Sequence, residues 1–326
     1  MAYILPFIYR GHLEIDYIFK RLLMWTTNTS PRARQRRPAL VAVVILMLFS
    51  ANTVGYAETL RLQSPDGKFL NAEHLRGDVK RPAVLVLHGF LQTFQFQTTE
   101  SIINSLSSLG YTIVGPNLSL GISDRLQSMQ CQAPHNHTFD DDLREIDFWV
   151  GWLRKQGHAS VILVGHSWGS QHVLGYTETH PKAPVAAVIA VSLVRAEQAA
   201  AVRAKQIAKA EGRAARHDPS LQSYALSFCK TFMATPRSYL SYARWDDARV
   251  LDSLARLQER KLPVYAVLGS QDNRSDDEWV REVSARATQV SVIEGANHFF
   301  SSVHEFELSD RLEAILARIS APVKGK

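Results

Sequence analysis

Cysteine, repeats, long apolar runs and excess charge are all scarce in this chain, and each scarcity narrows what it can be. Two cysteines, Cys131 and Cys229, stand among 326 residues, so at most one internal bridge can form. No segment recurs at the roughly 20–50-residue periods of solenoids and propellers, which sets repeat architectures aside. The strongest apolar run, 39–49, is eleven residues long, well short of the about 20 needed to cross a bilayer. The formal net charge is +6, but the first 57 residues carry seven Lys or Arg and two acidic residues. Removing them leaves 30 basic and 29 acidic residues over 58–326, a net of +1. So neutral a chain lacks the electrostatic footprint of nucleic-acid binding.

What is present at the N-terminus is an export pattern. The basic run Arg32 to Arg37 precedes the apolar run 39–49, and Gly55-Tyr-Ala57 offers small residues where a signal peptidase looks. Basic region, short apolar core and small-residue site together predict a signal peptide within a 1–57 leader, cleaved after Ala57. The protein is then exported, to a periplasm or beyond. The alternative is an uncleaved anchor, with membrane contact through this segment alone. Residues 1–23 add a mixed hydrophobic stretch ahead of the basic run, an arrangement that a start at Met24 would explain. An oxidising compartment permits a Cys131–Cys229 disulfide, although spacing along the chain does not decide it.

Residues 58–326 form the folded domain. Apolar residues at 46% and charged residues at 21% are ordinary for a soluble protein with a sizeable core. Segments 58–63 and 68–75 read as strands around the turn Ser64-Pro-Asp-Gly67. From Pro82 onward, short apolar runs at 83–87, 111–114, 160–164, 185–191, 263–268 and 289–293 alternate with helical stretches at 98–109, 140–156 and 306–319. Continuous apolar runs of this length are what parallel sheets bury on both faces. The fold class is α/β, a mostly parallel, doubly wound sheet. Between 195 and 260 the strand signal disappears, which predicts an all-helical cap insertion. Its aromatics, Tyr224 to Trp245, are expected mainly to fill its own core and to face the ligand-binding edge of the sheet.

The chemistry concentrates in Gly165-His-Ser-Trp-Gly169, directly after the strand at 160–164 and before a helix. By composition alone such a pentapeptide arises in roughly one chain in ten of this length. Its placement at a strand-to-helix turn is what makes it informative, because a nucleophilic serine needs an exposed hydroxyl at a sharp bend. Serine also needs a base, and the base an orienting acid. Asp272 follows the strand at 263–268 and His298 follows the one at 289–293, so both fall on the sheet edge that carries Ser167. Ser192-Leu-Val194 offers no competing carboxylate. For the oxyanion, Val86-Leu-His-Gly-Phe90 ends the first buried strand. The N–H groups of Phe90 and Trp168 are the expected donors, with Leu91 an alternative to Phe90.

These motifs, from about residue 82 to 319, resemble the α/β-hydrolase superfamily of esterases, lipases and peptidases. The resemblance implies a Ser167–His298–Asp272 mechanism on a small-molecule acyl substrate, without metal or organic cofactor, and a cap after the sixth strand. Ester cleavage is favoured. The alternatives are a non-catalytic ligand-binding protein on the same scaffold, or an acyltransferase or haloperoxidase using the same triad. No aspartate stands at position 167, which argues against a dehalogenase. His135 and His137, in the segment after Cys131, lack a third convergent ligand for zinc. They are expected in a solvated loop, tied to the insertion if the cysteines pair.

Overall fold

Along β3 the side chains of Ala83, Leu85 and Leu87 face one apolar layer, and those of Val84 and Val86 face the other. That period-two alternation, with both faces buried, is the physical origin of the architecture. The computed structural model describes residues 57–196 and 198–320; residues 1–56 of the leader, with the signal peptide's basic and apolar runs and the Met24 start, lie outside the described residues.

Ten strands are described, β1 (Ala57–Gln63), β2 (Phe69–Leu75), β3 (Ala83–Leu87), β4 (Ile113–Asn117), β5 (Val161–His166), β6 (Val185–Val191), β7 (Gln222–Leu226), β8 (Cys229–Ala234), β9 (Val264–Gly269) and β10 (Gln289–Ile293). Eight form one sheet in the order β1-β2-β4-β3-β5-β6-β9-β10. β1, β2 and β4 pair antiparallel, and every pairing from β4 through β10 is parallel. The helices are α1 (Gln97–Ser108), α2 (Phe139–Lys155), α3 (Trp168–Thr179), α4 (Ala200–Ala214), α5 (Pro236–Ala243), α6 (Asp247–Glu259), α7 (Asp277–Ser284) and α8 (His304–Ser320). α1 and α8 cover one face through Ile102, Ile103, Leu106, Leu308 and Leu312. α2, α3 and α6 cover the other through Leu143, Ile146, Trp149, Val173, Leu174 and Leu254. α2 starts where its sequence says it should. Thr138 and Asp141 form a capping box, and Asp140, Asp141 and Asp142 occupy the first turn, where the helix dipole favours negative charge.

The insertion between β6 and β9 departs from expectation. It is not all-helical, because β7 and β8 pair as an antiparallel hairpin between α4 and α5. Tyr224 and Leu226, then Cys229, Phe232 and Ala234, are its buried positions. They flank a turn at Ser227, whose φ is +51. That alternation is short, and the helical run before it masks it.

The segment before α2 also differs. His135 and His137 are buried rather than solvated. His135 makes a parallel bridge to Ala234, its N–H donating to the Met233 carbonyl at 2.8 Å. Its ring stacks on Phe232 at 4.2 Å between centroids. Cys131 and Cys229 are joined by a disulfide that closes a loop of 98 residues in sequence. Constraining a loop of that size in the unfolded chain stabilises the fold by about 4–5 kcal/mol. Replacing both cysteines by serine is therefore expected to lower the unfolding free energy by about 3–5 kcal/mol in urea titrations. A loss under about 1 kcal/mol would mean that the hairpin holds the segment without the bridge.

Candidate active site

The sequence places a tight bend at Ser167, and backbone geometry shows why glycines flank it. Ser167 adopts φ +56 and ψ −123 between β5 and α3, a left-handed conformation that is strained for any residue with a Cβ. A Cβ on Gly165 would sit 2.2 Å from the Gly169 carbonyl carbon, and one on Gly169 would sit 2.6 Å from the Leu87 carbonyl oxygen. The bend closes only if both positions are glycine. The Ser167 N–H donates to Val191 O at 2.8 Å, which ties the bend to β6.

His298 follows β10 and Asp272 follows β9, and the two loops meet at Ser167. His298 Nε2 lies 2.9 Å from Ser167 Oγ, and His298 Nδ1 lies 2.7 Å from Asp272 Oδ2. A carboxylate only accepts, so Nδ1 carries the proton and Nε2 accepts from the serine hydroxyl. The Arg274 N–H donates to the other carboxylate oxygen at 3.0 Å. Burial alone would push the Asp272 carboxyl up; the His298 hydrogen bond and charge, with the Arg274 amide, outweigh it and hold the carboxyl below the usual range. All three side chains are buried. The structure thus brings together all three residues singled out from the sequence.

The predicted oxyanion donors sit on either side. Trp168 is the first residue of α3, where helix amides lack an intrahelical acceptor. Gly89 lies against Ser167, since a Cβ there would come within 3.4 Å of the Ser167 Cβ. The Phe90 N–H makes no hydrogen bond to any described residue. Leu91, the alternative donor, has φ +59 and gives its carbonyl to the Met129 N–H at 2.8 Å. The walls are aromatic. Phe90 packs against Trp168, Phe228, Phe232 and Tyr242, with centroids 5.3 to 6.1 Å apart. Phe299 packs against His298 at 4.9 Å. Phe228 remains 50% exposed and Phe299 38%, so both carry apolar surface to solvent beside the site.

A family model described as the alpha/beta hydrolase fold matches residues 82–207. Among solved structures the chain is similar to the α/β-hydrolase GrgF from Penicillium sp. sh18, at 16% identity and a TM-score of 0.63, over 81% of this chain and 98% of that one. The chain has the α/β-hydrolase fold. It is also similar to Est1E from Butyrivibrio proteoclasticus, at 17% identity and a TM-score of 0.57 over 82% and 100% of the two chains. A monoacylglycerol lipase from Paleococcus ferrophilus is similar at 18% identity and a TM-score of 0.59, over 77% and 99%. No curated protein matches in sequence. At such identities the likeness carries the fold.

Two further residues support the histidine and were not anticipated from sequence. The His298 carbonyl accepts from Ser192 Oγ at 2.8 Å and from His166 Nε2 at 3.0 Å. Burial, then the neighbouring His298, pushes His166 down to about 3, so its ring is neutral with the proton on Nε2. Ser192 directly follows β6 with φ +49, in the 192–194 segment that offers no carboxylate. Position in sequence marked it; only the fold shows its partner.

A second buried cluster lies behind the site. Asp142 accepts from Tyr242 Oη and pairs with His172 Nε2 at 2.9 Å, while His172 Nδ1 lies 2.8 Å from the Trp168 carbonyl. With no nucleophile in this chain of contacts, it braces the first turn of α3. Glu145 accepts from the Ser119 N–H at 2.6 Å and from the Ser119 hydroxyl. Burial, then Asp142, pushes its carboxyl up to about 7. The folded state therefore holds this proton more tightly than the unfolded chain. Its contribution is complete below about pH 4.5 and is lost as pH rises toward 7. Wild type is expected to lose about 3 kcal/mol between pH 4.5 and 8 through this group, and Glu145→Gln to flatten that decline. Urea midpoints of both proteins at several pH values check it; parallel profiles would overturn it.

Proposed function

We propose that this protein is a serine hydrolase of the α/β-hydrolase superfamily that cleaves an ester or related acyl compound through an acyl-enzyme. The observation that carries the reading is the unbroken hydrogen-bonded line from Ser167 through His298 to Asp272, at a strained bend between strand and helix. In this reading Ser167 Oγ attacks the carbonyl carbon while His298 Nε2 takes its proton. Asp272 holds the imidazole in the Nδ1–H tautomer and stabilises the imidazolium. The carbonyl oxygen, now negative, is received by the N–H groups of Phe90 and Trp168. His298 returns the proton to the leaving group, and water, activated by the same histidine, releases the acid.

Phe90, Trp168, Phe228 and Phe299 around Ser167 and His298 favour an apolar substrate over a charged one. The similar structure named as a monoacylglycerol lipase supports acyl hydrolysis as the reaction class. The Cys131–Cys229 disulfide supports action in an exported setting. The test is hydrolysis of p-nitrophenyl esters from acetyl to palmitoyl, with thioesters and amides in parallel. Turnover rising with chain length to an optimum is expected. Inactivity on every acyl compound would sink the reading, and transfer to an added alcohol in preference to water would turn it into an acyltransferase.

A further inference from the structure

His88 and Arg125 stand behind the oxyanion loop, and neither takes part in the triad. Both are buried, Arg125 at 5% exposure. The Arg125 guanidinium donates from Nε to Leu118 O at 2.6 Å and from Nη1 to Gln127 O at 2.7 Å. Its third contact, from Nη2, reaches His88 Nε2 at 3.1 Å. Asp142 and Glu145 act on it through space, and burial lowers it to about 10, so it keeps its charge at neutral pH. Desolvating a guanidinium is costly unless its hydrogen bonds are well satisfied, and here one of them ends on an imidazole.

That contact determines the state of His88. Its Nε2 faces two N–H donors, Arg125 Nη2 and the Leu118 amide at 3.2 Å, so Nε2 must accept. The proton then sits on Nδ1, which donates to the Gly89 carbonyl at 2.8 Å. Burial and the Arg125 charge push His88 well below the usual imidazole range, in keeping with a neutral ring. The Gly89 carbonyl and the Phe90 N–H belong to one peptide unit, which is trans and planar. They point in opposite directions. Holding the carbonyl from behind therefore aims the amide forward, on the side of Ser167. The positive guanidinium also polarises each donor along the chain of hydrogen bonds in the same sense.

We propose that Arg125, acting through His88, positions and polarises the Gly89–Phe90 peptide as an oxyanion donor. The proposal rests on the acyl-transfer reading above. Arg125 and His88 are positioning residues, since neither touches the reacting atoms. Removing an oxyanion donor outright costs about 10²–10³ in rate, and misorienting one costs less. The test uses the full protein, with Arg125→Met, His88→Phe and the double variant, and two readouts: the rate of Ser167 modification by a fluorophosphonate, and kcat and KM on the best ester. In the fluorophosphonate reaction Ser167 Oγ bonds to phosphorus, fluoride leaves and His298 takes the proton, so the phosphoryl oxygen probes the oxyanion hole without a physiological substrate.

Each single variant is expected to lower the modification rate and kcat about 10- to 100-fold, with KM within about twofold. The double variant is expected to match the worse single, because the two residues act in series. Either single variant that folds, judged by its melting curve, carries the test. Single variants that react at the wild-type rate overturn the relay and leave the hydrolase reading standing. So do losses that multiply in the double variant, since these mark two independent structural roles. A wild type that neither turns over esters nor reacts with the fluorophosphonate overturns the hydrolase reading, and the relay with it.

Discussion

Ser167→Ala is expected to abolish turnover on any acyl substrate the protein accepts, a loss that approaches about 10⁶ in kcat where the whole triad acts as a unit. The structure shows why the substitution reports chemistry and little else. Alanine keeps the Cβ, and with it the backbone at φ +56 that the flanking glycines accommodate. It removes one hydroxyl and with it a single hydrogen bond, the one to His298 Nε2. Losing one such hydrogen bond changes stability by about 1 kcal/mol, so the melting temperature should hardly move. KM should stay close to that of wild type, because Phe90, Trp168 and Phe299 still wall the site. Steady-state kinetics on the best ester, with melting curves of both proteins, make the check. Equal activity in wild type and variant would show that the nucleophile lies elsewhere.

Asp272→Asn should cost less but still heavily, about 10⁴ in kcat, and for a different reason. Asp272 Oδ1 accepts from the Arg274 N–H at 3.0 Å, and that amide will hold the asparagine oxygen in the same place. The asparagine NH₂ then faces His298 Nδ1. A donor there forces Nδ1 to accept, so the imidazole proton moves to Nε2. In that tautomer the ring cannot take the serine proton. The fold should survive, since Asn matches Asp in shape and both remaining contacts can be made. Measured kcat with KM nearly unchanged, and slowed fluorophosphonate labelling of Ser167, are the expected signature. A loss smaller than tenfold would mean that another group orients His298.

The parts of the site that were legible in sequence share one property: they depend on order and period along the chain. Ser167 could be placed because a five-residue pattern sits between an apolar run and a helix. Asp272 and His298 could be placed because each follows an apolar run at the same edge of a parallel sheet. β4 was legible only in its first half, since Gly115 and Pro116 look like the end of a strand. Pro116 lies opposite Ala72 of the antiparallel neighbour β2. The hairpin of β7 and β8 was missed because its alternation spans only a few residues on each strand.

The sequence by itself determined the α/β architecture, the sharp bend at Ser167 and the edge on which an acid and a base must stand. Backbone periodicity and glycine chemistry are local, and local physics can be read along a chain. Tertiary structure alone decided that Cys131 meets Cys229, that His135 and His137 are buried, that Ser192 holds the His298 carbonyl and that Arg125 ends on His88. Those contacts join segments 37 to 106 residues apart. Their energies turn on distance, desolvation and donor direction, which arise only once the layers have packed.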